Sequence, residues 1–260
     1  MPKSSVSAAD VRGKRVLMRV DFNVPLRDGE VADDTRIRAA LPTIRSLLER
    51  GSSIVLATHL GRPKGKPDSA FSVAPVGRRL RELLDTPVTV ASSVRGPAVL
   101  EAAGNLSPGS ILLLENTRFE PGEEANDPDL AADLAQLGDL FVNDAFGAAH
   151  RAHASTVGVA SLLPAYAGLL LQREESMLSR LLSDPERPFV AILGGAKVTD
   201  KLAVIEHLLD RVDALLLGGG MANTLLLAQG YDVGASLAEP ARVEDARQLL
   251  ASAAERGVQV

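Results

Sequence analysis

The chain has 260 residues, 46% of them hydrophobic, and a formal net charge of −5. An acidic balance argues against general nucleic-acid binding, and no apolar run reaches the roughly 18 residues needed to cross a bilayer. Without cysteine there is no disulfide framework, thiol nucleophile or zinc–thiolate site, and the N-terminal MPKSSVSAADVRGKR lacks the apolar stretch of a secretory signal, so a cytoplasmic protein is expected.

In chain order, short runs rich in Val, Ile or Leu predict strands over 15–20, 53–58, 87–90, 111–114, 140–143, 189–193 and 214–217. Each is mostly apolar on both faces, as a sheet covered by helices requires. Between them lie helical patterns at 35–50, 73–84, 128–137, 168–182, 199–211, 222–229 and 239–256. In the first of these Ile37, Leu41, Ile44 and Leu48 recur at helical spacing behind the capping candidates Asp33 and Asp34. Strand–helix alternation predicts an α/β fold of two Rossmann-like parallel-sheet lobes. The proline-rich SDPERP after a lone amphipathic helix suggests a division into 1–167, a connecting helix and linker at 168–187, and 188–260. The second lobe has roughly 75 residues where a doubly wound domain commonly needs about 100 to 200, so it is expected to be incomplete, with 257–260 starting a strand.

Several strands end in a polar, basic or glycine-rich cluster, and open parallel sheets place ligands at the carboxyl ends of their strands. RVDFNVP at 19–25 sets Asp21 and Asn23 two apart, on one face of an extended backbone, to grip a hydroxyl and an anionic oxygen; a plain turn before Pro25 is the alternative. THLGRP at 58–63 offers His59, either a ligand or a buried structural histidine, and Arg62, set between Gly61 and Pro63 for bidentate anion contact. Arg118 follows the fourth strand run, and Arg151 stands in HRAH, where the absence of a neighbouring acid or cysteine argues against zinc. Arg36 and Lys201 fall in predicted first turns of helices, where the macrodipole disfavours cations by roughly 0.3–1 kcal/mol unless an anion binds there. GGAKVTDK at 194–201 and GGGMA at 218–222 are glycine loops between strand and helix, suited to phosphate or to a tight turn, and neither is a Walker A motif. Together the cations form a receptor for a phosphorylated small molecule. No GxGxxG follows the first strand, which argues against a dinucleotide-dependent dehydrogenase.

At these residues the sequence resembles the phosphoglycerate kinases. RVDFNVP, the run from Arg36 to Ile44, HLGRP, LLEN-x-RF, PGEE-x-ND, NDAFG-x-AHRAH, ILGGAKV-x-DK and LL-x-GGGMA-x-T are that family's signatures, in the family's order. The resemblance implies reversible phosphoryl transfer between 1,3-bisphosphoglycerate and ADP, giving 3-phosphoglycerate and MgATP, in glycolysis and gluconeogenesis. It assigns Asp21, Phe22, Asn23, Arg36, His59, Leu60, Gly61, Arg62, Arg118 and Arg151 to the glycerate ligand. Gly195, Ala196, Lys197, Lys201, Gly219 and Gly220 go to the nucleotide, and Arg36 and Lys201 to the transferring group. Thr58, Thr117 and Ala148 depart from the pattern beside ligand-binding positions. The family's later magnesium-binding aspartate motif is absent, so the ligand for Mg2+ is expected beyond Val260. A monomer without nucleic-acid or membrane partners is expected. With those motifs missing, the 260 residues alone are expected to keep 3-phosphoglycerate affinity with at most trace turnover; the alternative is a non-catalytic fragment that captures phosphorylated acids.

Overall fold

In a computed structural model, which describes residues 4–260, the chain divides into two compact units, Met1–Ser176 and Met177–Val260. In the first, β1 (Arg15–Arg19) leads to a hairpin, β2 (Leu26–Arg27) and β3 (Glu30–Val31), and then to α1 (Thr35–Glu49). β4 (Ser53–Ala57), α2 (Ala74–Leu83), β5 (Val88–Val90), α3 (Pro97–Gly104) and β6 (Ile111–Leu113) follow. α4 (Pro128–Ala135), β7 (Leu140–Asn143) and β8 (Ala165–Ala167) complete the series, and α5 (Leu169–Ser183) begins in this unit and ends in the second. Six strands form one parallel sheet in the order β5-β6-β4-β1-β7-β8. From the neighbours β1 and β7 the chain runs on to opposite sides of the sheet, which makes their carboxyl ends a switch point where such sheets open a crevice.

Alternation along the strands builds two cores. Val16, Met18, Ile54, Leu56, Ile111, Leu113, Leu140 and Val142 face one way, onto Ile37 and Ile44 of α1 and Val76 and Leu80 of α2. Leu17, Val55, Leu112 and Phe141 face the other, onto Val99 of α3 and Leu130 and Leu134 of α4. Each such side chain contributes roughly 1.5–3 kcal/mol on burial, so the apolar two-faced runs in the sequence become the central strands of a covered sheet. Of the expected caps, the Asp33 carboxylate accepts the Thr35 amide (2.8 Å), whereas Asp34 makes no side-chain cap bond and pairs with Arg38 (2.8 Å) and Arg79 (2.7 Å).

The hairpin β2–β3, α3 and β8 lie outside the expected set. The hairpin turns on Asp28 (φ 53°) and Gly29 (φ 76°), the Asp-Gly pair that a type I′ turn favours. α3 has eight residues and β8 only three, the latter an AYA run without the Val, Ile or Leu that marked the other strands.

In the second unit β9 (Val190–Gly194) and β10 (Ala214–Gly218) pair in parallel. α6 (Leu202–Leu209), α7 (Gly220–Ala228) and α8 (Val243–Glu255) supply Ile205, Met221, Leu225 and Leu249 to its core, against which Ala191, Leu193, Leu215 and Leu217 pack. The alternate residues Val190, Ile192 and Leu216 are exposed, Ile192 by 77%. Coverage of both faces, expected for every strand, is therefore met by the central strands β1, β4, β6 and β7 of the first unit, but not by its edge strands β5 and β8, where Thr89 and Ala165 are exposed, and on one face only here. Gln259 bridges Ala214 in parallel, so the expected strand start at 257–260 is present as a single bridge.

Asp144, fully buried at the end of β7, holds the start of α5. Its Oδ1 accepts the amides of Leu170 (2.9 Å) and Leu171 (3.1 Å). A Cβ on Gly168 would lie 2.2 Å from that oxygen. Gly168→Ala and Asp144→Ala should each lower the unfolding free energy by about 1–3 kcal/mol in urea titrations, one by collision and the other by stranding amides. A stable Gly168→Ala protein would contradict this packing.

Candidate functional site

Loops leaving β1, β4, β6 and β7 meet around a cavity of about 250 Å3, lined among others by Asp21, Asn23, Arg36, His59, Arg62, Arg118 and Arg151. All seven residues read from the sequence for an anion site in this unit come together there. A larger cavity, about 550 Å3, lies elsewhere; it is walled by Glu30, Asp33, Asp34 and Glu82 around a single cation, Arg79, which Asp34 and Glu82 already pair.

Backbone clamps hold these loops. Asn116, fully buried, accepts the Leu60 amide (3.1 Å) and donates to the Leu60 carbonyl (2.7 Å), fixing the HLGR turn from both sides. Its Oδ1 also accepts the Arg118 amide (3.1 Å). Asn23 Oδ1 accepts the Gly61 amide (2.9 Å), and the Thr58 hydroxyl accepts that of Phe22 (2.9 Å). Gly61 has φ +61°, and a Cβ there would sit 2.3 Å from the Phe71 ring, so both conformation and space require glycine. A Cβ on Gly147 would lie 2.7 Å from Asp21 Oδ2. Phe22 (0% exposed) and Leu60 (3%) belong to the core, which leaves only their backbones for a ligand.

Two of the four arginines lining the cavity have acidic partners. Arg36, in the first turn of α1 as expected, pairs with Asp21 at 2.7 Å. Arg118 is 6% exposed; it donates to the Gly61 carbonyl (2.7 Å) and pairs with Glu124 (2.9 Å), while its Nε is buried without a partner. Burial pulls the Arg118 pKa down, with Glu124 opposing. Arg62 and Arg151 are exposed at the rim. Burial above all, and then the charges of Arg19, Arg118 and Arg151, push His59 down to about 2, so the ring is neutral. His153 is lowered as well, chiefly by burial, although Glu123 lies 3.8 Å away.

Behind the pocket stand residues that the sequence reading passed over. Arg19 ends β1 at 1% exposure and Glu123 is fully buried, joined through Ser155: Arg19 Nε donates to Ser155 Oγ (2.8 Å), which donates to Glu123 Oε1 (2.6 Å). An arginine in a central parallel strand was the available signal, because such strands are otherwise apolar.

In the second unit, Lys201 closes a 3₁₀ turn at Thr199–Lys201 and occupies the N-cap of α6, a correction to the first helical turn expected. The two glycine loops pack on each other: Cβ atoms on Gly219 and Gly220 would lie 2.9 Å from the Gly195 carbonyl and 2.2 Å from the Ala196 carbonyl. Close backbone approach alone therefore accounts for Gly219 and Gly220. The Lys201 side chain passes over Gly195, whose added Cβ would lie 3.6 Å from Lys201 Cε. Among the described residues no group of three or more His, Cys, Asp or Glu side chains could hold a metal ion.

The His59 shift fixes a pH effect. Its folded pKa lies below the ordinary value of about 6.5, so between those values the unfolded chain binds the extra proton and stability falls with pH. From pH 7 to 5 this should cost about 2 kcal/mol. His153 acts in the same direction, and Asp144, raised by burial, opposes only near the carboxylate range. His59→Gln should remove most of the loss in thermal unfolding; an unchanged pH slope would contradict a neutral buried ring.

The family model described as "Phosphoglycerate kinase" matches residues 6–260. The phosphoglycerate kinase of Chloroflexus aggregans is 58% identical over 263 residues, covering 100% of this chain and 66% of the relative. That of Desulforudis audaxviator is 59% identical over 254 residues, covering 97% and 65%. The structure of phosphoglycerate kinase from Coxiella burnetii superposes with a TM-score of 0.87 at 44% identity, covering 99% of this chain and 65% of that one. The crystal structure of the Pyrococcus horikoshii kinase does so at 0.81 and 32%, covering 99% and 67%. The chain thus spans about 66% of the length of the first of these relatives. Matched along nearly its whole length by the family model and by relatives of this identity, it belongs to the phosphoglycerate kinase family.

Proposed function

We propose that the first unit binds 3-phosphoglycerate and 1,3-bisphosphoglycerate, and that the whole protein transfers a phosphoryl group reversibly between the acyl phosphate of the latter and ADP. The observation that carries this is the convergence of Arg36, His59, Arg62, Arg118 and Arg151 on one small cavity. His59, Arg62, Arg118 and Arg151 take the 3-phosphate, with guanidinium forks suited to bidentate contact and the neutral imidazole as a further donor. Asp21 and Asn23 receive the hydroxyl and carboxyl end beside the backbone of Phe22, Leu60 and Gly61. Arg36, at the start of α1, faces the reacting carboxyl, where the helix amides add to its charge. Phosphoryl transfer passes through a loose, highly charged transition state, so positioning and fixed positive charge are the chemistry required, and no nucleophile is needed.

For the nucleotide, residues 188–260 contribute Gly195, Ala196, Lys197, Gly219 and Gly220 along its phosphates, with Lys201 directed at the transferred group; residues 168–187 connect them to the glycerate-binding 1–167. Magnesium comes with the nucleotide, and no side chain is assigned to it. The protein acts as a monomer in the cytoplasm, in glycolysis and gluconeogenesis; no helix of the described residues is long and apolar enough to cross a membrane. Because the chain spans 66% of its relatives' length, turnover is proposed for the whole protein, and ligand affinity is the property this chain tests. Arg62→Ala and Arg118→Ala should each weaken 3-phosphoglycerate binding by about 1.5–3 kcal/mol in calorimetry, the range for a charged hydrogen bond. Unchanged affinity in both variants would remove the assignment.

A further inference from the structure

We propose that Arg19, which is not among the ligand-binding residues, is a positioning residue that holds His59 as the neutral Nε2–H tautomer, so that His59 offers a bound anion a hydrogen bond without a charge. Arg19 Nη2 lies 3.1 Å from His59 Nδ1, in the interior. A guanidinium has five N–H donors and no acceptor, and it does not lose its proton in proteins. His59 Nδ1 must then accept, which leaves the single proton of the neutral ring on Nε2. A proton on Nδ1, in the other tautomer or in the cation, would set two donors against each other.

Arg19 itself cannot turn away. Its Nη1 donates to the Val20 carbonyl and its Nε to Ser155 Oγ at 2.8 Å. Because Ser155 Oγ accepts there, its own hydrogen is directed to Glu123 Oε1 at 2.6 Å, and the Glu123 carboxylate also accepts the Ser155 amide at 3.0 Å. Glu123 is 0% exposed and Arg19 1%, so a buried anion and a buried cation compensate each other across one serine. The direction of every bond in this chain follows from its two charged ends.

The surroundings agree. Beyond burial, the groups that disfavour a charged His59 are Arg19 from β1, Arg118 from the loop after β6, and Arg151 and His153 from the loop after β7. The carboxylate lining the same cavity, Asp21, is engaged by Arg36. A protonated His59 would add one more charge to an already cationic ring, whereas the Nε2–H tautomer adds a donor whose strength is constant across the working pH range.

That the donor serves a phosphate rests on the proposed function; the tautomer does not, and the experiment separates the two. In the 260-residue chain labelled with 15N-histidine, long-range proton–nitrogen correlations from pH 8 to 5 should show His59 with a bare Nδ1, a protonated Nε2 and no titration. Ser155→Ala frees Arg19 on one side and Arg19→Met deletes the donor. Both should release the tautomer preference or bring His59 into titration, and Arg19→Met should weaken 3-phosphoglycerate binding roughly tenfold. Arg19→Lys, which keeps a donor, should restore the Nε2–H signature. A wild-type proton on Nδ1, a ring that titrates between pH 5 and 8, or an unchanged tautomer in both Ser155→Ala and Arg19→Met would overturn the proposal. If Arg19→Met does not fold, the wild-type and Ser155→Ala spectra decide. An Nε2–H ring in a protein that ignores 3-phosphoglycerate would defeat the proposed function and leave the role of Arg19 intact; normal binding with an Nδ1–H ring would do the reverse.

Discussion

Repulsion between like charges is the constraint on which the first unit depends. Arg36, Arg62, Arg118 and Arg151 line one cavity of about 250 Å3, and Arg19 is buried directly behind it. Left to themselves these side chains would splay into solvent, where an anion would find no assembled receptor. The fold counters the repulsion locally: Asp21 holds Arg36, Glu124 and the Gly61 carbonyl hold Arg118, and Ser155 with Glu123 holds Arg19. His59 stays neutral in their midst. The cost of gathering the charges is therefore met by burial of the sheet and by paired carboxylates before any ligand arrives, the preorganisation that electrostatic catalysis requires.

Position comes from the sheet and is passed on through amides. β1, β4, β6 and β7 deliver their loops to one edge at the switch point, and the central strands are fixed because both faces carry core. Buried Asn116 then ties the loop after β6 to the loop after β4, while Thr58 and Asn23 tie the latter to the loop after β1. None of these three contacts requires a side chain to reach far, so the geometry is as rigid as the strands. Gly61 and Gly147 supply the room that the close loop approaches demand.

Much of this was legible in the sequence because it rests on short-range patterns. Apolar runs of four to six residues marked the strands, helical periodicity marked α1, and polar clusters at strand ends marked every cation of the pocket. What escaped depends on contacts distant in sequence or on elements too short for a period. Glu123 read as one acid in PGEE, and only the fold brings it to Ser155 and, through it, to Arg19, 104 positions away. Asn116 stood in the sequence only as one letter of LLEN-x-RF, and its clamp on Leu60 spans 56 residues. The hairpin at Asp28–Gly29 carried a local signature that could have been read. The glycine loops of the second unit show the opposite limit: GGAK and GGGMA suggested phosphate, and the packing of the loops on each other supplies a structural reason for Gly219 and Gly220. Their pattern alone cannot decide between the two.

The central claim is that the strand-end cations form a receptor for the phosphate of a small acid. Calorimetric titration of the chain with 3-phosphoglycerate and with glycerate, each over a series of salt concentrations, addresses it most directly. 3-Phosphoglycerate should bind, weaken as salt rises, and exceed glycerate by roughly a hundredfold or more, the worth of two or more charged hydrogen bonds. Equal affinity for the two acids, or binding indifferent to salt, would contradict it.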